Sequence, residues 1–93
     1  MAWVRCLIRG ENFPLELDGV RGPTNFFATR YVNVQSIDDV ERVVLERLKQ
    51  EPELQVPPGT PGTEKARVYF EVIEPVNEPE EPNSGFTFFH EER

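Results

Sequence analysis

Residues 36–52 read SIDDVERVVLERLKQEP, and the architecture turns on this stretch. Ser36 followed by Asp39 has the form of a capping box with a shorter acid at its third helical position. Asp38 and Asp39 also place negative charge in the first turn, where the helix dipole favours it. Ile37, Val40, Val44 and Leu48 recur at helical spacing, with Val43 and Leu45 flanking the stripe. Pro52 cannot continue a helix. The spacing predicts one amphipathic helix over 37–50, about 20 Å long.

On both sides of this helix the apolar period changes from near four to two. In residues 3–9 (WVRCLIR), Val4, Cys6 and Ile8 share one face and Trp3, Arg5, Leu7 and Arg9 the other. In residues 26–34 (FFATRYVNV), Phe27, Thr29, Tyr31 and Asn33 fall on one side. Residues 65–76 (KARVYFEVIEPV) set Ala66, Val68, Phe70 and Val72 against Arg67, Tyr69, Glu71 and Ile73. In residues 85–90 (GFTFFH), Phe86 and Phe88 lie opposite Phe89. Four strands and one helix in this order predict an α+β domain (β-β-α-β-β). Its sheet is four-stranded and mostly antiparallel, with the helix packed on one face.

The connections read as turn chemistry. Residues 10–25 hold Pro14, Asp18-Gly19 and Gly22-Pro23 and predict a long loop, with Leu15 and Leu17 as a short extra strand at most. Residues 51–64 carry four prolines and two glycines, a loop that Leu54 and Val56 would pin to the core. An acidic, proline-rich link is expected over 77–84, and a frayed end over 91–93.

Composition sets the outer bounds. Leu, Ile, Val and Phe make up 27 of the 93 residues, above the ~20% below which charged chains stay disordered. That length is one domain, 1–93. Seventeen acids against ten bases give a net charge of −7. Nucleic-acid affinity comes mainly from Lys and Arg on phosphates, so the balance disfavours nucleic acid and anionic membrane surfaces. One cysteine, Cys6, and one histidine, His90, cannot build a closed zinc site within one chain. No cofactor motif is present, and the chain shows neither a signal-peptide pattern nor an 18-residue apolar run, so a cytoplasmic setting is expected.

The informative feature is an excess of rings. Four strands at ~4.8 Å spacing make a sheet about 19 Å across, and one helix of ~10 Å diameter covers part of one face. The opposite face should then be polar. Instead it is offered Trp3, Leu7, Phe27, Tyr31, Tyr69, Ile73 and Phe89. An apolar patch of this kind marks an interaction surface. The expectation is a non-enzymatic module whose helix-free face docks on a protein partner, in the simplest case a second copy of itself. The competing expectation is that the 10–25 and 51–64 loops fold over the face and bury it.

Two chemical readings remain. A small-ligand or enzymatic site would use the 10–25 loop and Arg21 over a cleft beside Cys6, with His90 as a base for the thiol. Residues 85–89 (GFTFF) resemble the aromatic RNP1 strand of RNA-recognition motifs, which implies single-stranded RNA stacked on an open sheet. The likeness spans five residues and departs from the family pattern: Asn83 and Ser84 stand where a basic residue is expected, and the fold's second helix is missing.

Overall fold

The computed structural model describes residues 2–79 and 85–90. Strands β1 (Ala2–Leu17) and β2 (Val20–Val34) precede the helix α1 (Val40–Leu48), and β3 (Arg67–Val76) and β4 (Thr87–His90) follow it. The sheet order is β3-β1-β2-β4 and every pairing is antiparallel. This is the α+β arrangement that the periodicities predict. Most of the expected 77–84 link, and the end at 91–93, lie outside the described residues.

The expected loop over 10–25 does not form. β1 and β2 run on through it and meet at Asp18-Gly19, whose φ angles of 53° and 80° are those of a tight two-residue hairpin turn. The prolines did not interrupt the ladder, and the register explains why. Counting back from the turn, pairs Leu17/Val20 and Leu15/Gly22 exchange backbone hydrogen bonds, while Glu16/Arg21 and Pro14/Pro23 do not. Both prolines therefore sit where an N–H would point outward. Among the described residues β3 pairs no further than Glu11 and β4 no further than Thr24, so no described strand beside this arm misses those donors.

The helix is shorter than predicted. A single 3-10 turn, Ile37–Asp39, leads into the nine residues of α1. Ser36 Oγ accepts from the Asp38 backbone N–H at 3.2 Å. The Asp39 carboxylate faces Arg42 at 3.6 Å, so the reciprocal half of the capping box is absent. The tighter turn also rotates Ile37 off the stripe and leaves it 54% exposed. Val40, Val44 and Leu48 pack on Val4, Cys6, Ile8, Ala28, Val32 and Val34.

A helix of nine residues spans only about 14 Å, and rings shield the rest of its side. Phe26 is fully buried, with Phe13, Phe86 and Phe88 set edge-on to it at centroid distances of 5.1, 5.3 and 6.1 Å. A Cβ at Gly10 would lie 2.0 Å from the Phe26 ring, so this position admits no side chain. Leu54 packs against the same cluster from the 51–64 segment.

Candidate functional site: the helix-free sheet face

The site is built from the odd-numbered positions of β1 and β2. Trp3, Arg5, Leu7 and Arg9 alternate with the buried Val4, Cys6 and Ile8, and they face Asn33, Tyr31, Thr29 and Phe27 across the ladder. β4 adds Phe89, stacked on Phe27 at 5.6 Å. β3 adds Tyr69, directly opposite Arg9.

A bulge changes what β3 contributes beyond that point. Leu7 pairs with Val72 and Ile8 with Phe70, so Glu71 is the extra residue and the side-chain parity inverts after it. Val72 therefore reaches the helix-free face beside Leu7. Ile73, expected on that face, pairs with Cys6 and packs against the core cluster instead. Strict alternation through residues 67–76 placed both residues wrongly, because a bulge has no hydrophobic signature of its own.

The other expected residues lie together. Trp3, Leu7 and Tyr31 are half-buried among their neighbours, whereas Phe27, Tyr69 and Phe89 are 39, 41 and 38% exposed. They form one row across all four strands. The Arg9 guanidinium lies 4.3 Å above the Tyr69 ring, Phe27 faces Arg9 from the other side, and Phe89 stacks beyond it. The expected cover of loops is absent from this row. Residues 10–25 are strand, and the 51–64 segment reaches the core through Leu54 and the hairpin arm through Gly62, which lies beside Pro14.

The charges on the face cancel. Arg5 bonds Glu74 at 2.6 Å, and Arg9 bonds Glu71 and Glu11. Arg67 pairs with Glu11 in the register and shares this side. Three arginines and three glutamates sum to zero, so the chain's −7 resides elsewhere.

The Cys6–His90 pair and the RNP1-like stacking surface are not assembled. Cys6 pairs with Arg30 in the register and His90 with Thr24. The six residues between Arg30 and Thr24 put these positions about 20 Å apart along β2. Burial raises the Cys6 thiol above its ordinary pKa, and the Glu41 carboxylate adds to the rise. Arg21 stands on the far arm of the hairpin, not beside Cys6. Of the three rings in the RNP1-like stretch, Phe86 and Phe88 pack on Phe26 and only Phe89 faces outward.

One residue of consequence escaped the sequence reading. Arg30 sits on the helix side at 3% exposure. Its guanidinium donates to the carbonyls of Thr29 and Gly85 at 2.8 and 3.1 Å, lies 4.6 Å from the Phe86 ring centroid and meets Glu51 at 3.4 Å. It ties β2 to the helix exit and to the approach to β4. The only hint in the sequence is a cation at an inward position of residues 26–34.

Among the described residues no helix is long and apolar enough to cross a membrane. Comparison with protein-family models finds no family that matches the chain, and comparison with curated proteins and with solved structures finds no match.

Proposed function

We propose that the protein is a non-enzymatic interaction module that self-associates through its helix-free sheet face. The observation that carries this reading is the Tyr69–Arg9–Phe27–Phe89 row: three rings, each more than a third exposed, around a cation whose charge two glutamates neutralise. Aromatic residues and Arg are the types enriched at protein interfaces.

Charge favours a second copy as the occupant. Two chains of −7 repel through most of their surfaces, yet this face is neutral and carries both signs. In a two-fold pair the same patch meets itself, so an arginine of one copy can lie against a glutamate of the other.

Charged substitutions test the reading. Tyr69→Glu and Phe27→Glu should each weaken association at least about 100-fold, measured by light scattering on eluting protein, with the circular dichroism of the folded chain retained. Ile37→Glu, at a more exposed position off the face, should leave the mass unchanged. Dissociation by Ile37→Glu, or dimers that survive both face substitutions, contradicts the proposal.

A further inference from the structure

Away from the aromatic row, the surface has a second feature. A cleft of about 360 Å³ opens between the hairpin arm and the 61–65 turn, lined by Pro14, Pro23 and Pro61 together with Asn12, Arg21 and Lys65. That volume is at the small end of ligand pockets, enough for one small molecule and not for an extended peptide. The three proline rings come from β1, β2 and the 51–64 segment. Proline has a fixed φ and no N–H to satisfy. Such walls are apolar and stiff, so a ligand orders little on entering.

The two charged side chains that line the cleft, Arg21 and Lys65, are both cations. Arg21 is held in place by its own donation to the Pro14 carbonyl at 2.9 Å. Its second terminal nitrogen is 3.4 Å from Glu16, beyond the 2.7–3.2 Å of a good bond. Among the described residues Lys65 has no ion-pair partner. In a chain of −7, two cations at one cleft with a single acid, Glu16, beside one of them leave a local excess of positive charge. Arg21, Lys65 and Glu16 sum to +1, which matches a monoanion better than a doubly charged phosphate. The backbone adds a sign of specialisation. Residues 11–12 bulge out of β1 beside the cleft, with non-glycine Asn12 at φ 60°.

We propose that this cleft binds a small amphipathic carboxylate. Its apolar body lies on the proline rings and its carboxylate accepts from Arg21 and Lys65. Phenylacetate is a suitable probe, and phenylacetamide the neutral control of the same shape. In an amide ¹H–¹⁵N titration of the whole chain up to about 10 mM, phenylacetate should shift Asn12, Arg21, Gly22, Gly62 and Lys65 together and saturate with a millimolar Kd. Phenylacetamide should leave them unmoved. Arg21→Gln and Lys65→Gln, both at exposed positions, should each abolish saturation while the other amide signals keep their places. Equal shifts from phenylacetamide, shifts scattered over the surface, or variants that titrate like the parent overturn the proposal.

Discussion

Arg30 shows how one inward-facing charge organises its surroundings. Its guanidinium is out of water, and carbonyls of two separate segments and the Phe86 ring occupy its donors and face. Arg30→Met keeps the bulk but leaves the Gly85 carbonyl and the Glu51 carboxylate without their cation. A loss of about 3 kcal/mol is expected, read as a lower denaturation midpoint with an unchanged slope. Gly10 makes a second residue-scale case. Gly10→Ala drives a Cβ into the fully buried Phe26 ring and should cost about 3 kcal/mol by the same measurement. Cys6 gives a pH dependence. Its folded-state pKa is raised, so the folded chain holds the thiol proton after the unfolded chain has released it. The stabilisation is therefore complete below the ordinary thiol value of 9.0 and fades as pH rises toward the folded one. Denaturation midpoints should fall above that pH in the parent and stay flatter in Cys6→Ala. Native-state thiol labelling should be slow, since a buried neutral thiol is a poor nucleophile.

Among the elements, what the sequence made legible was periodicity, and what it hid was irregularity. The helix showed itself through Val40, Val44 and Leu48 and the Ser36 cap, because burial on one side imposes a repeat. The faces of residues 3–9 and 26–34 were readable for the same reason. In the hairpin arm Asp18-Gly19, flanked by alternating leucines, is a strong turn signal that the prolines mask. Pro14 and Pro23 looked like breakers, and only the register shows that both occupy positions where a ladder needs no donor. The Glu71 bulge exchanged Val72 and Ile73 between faces, so the aromatic site was legible apart from its β3 edge. The turn yields its own expectation. Gly19 holds φ 80° with nothing near its missing Cβ, so Gly19→Ala should cost about 1 kcal/mol through backbone strain alone, seen as a lower thermal midpoint with no change in spectrum.

For the whole molecule the question is where so many rings go. Five of the seven phenylalanines, Phe13, Phe26, Phe70, Phe86 and Phe88, share the helix side and do the shielding that one short helix cannot. Phe27 and Phe89 remain on the other side with Trp3, Tyr31 and Tyr69, above a set of cancelling charges. The sheet edges do not invite pairing to the same degree. β3 is interrupted by its bulge and carries Arg67, Glu71, Glu74 and Pro75, while β4 spans four of the described residues. Devices of this kind discourage edge-to-edge association, which leaves the face as the route. Because it is neutral, association should survive moderate salt, unlike contact between oppositely charged surfaces. Sedimentation equilibrium of the unmodified chain, from about micromolar to millimolar concentration, bears on this most directly. The account predicts a mass that rises to twice the 10.8 kDa of one chain and stops there. A single-chain mass throughout that range would contradict it.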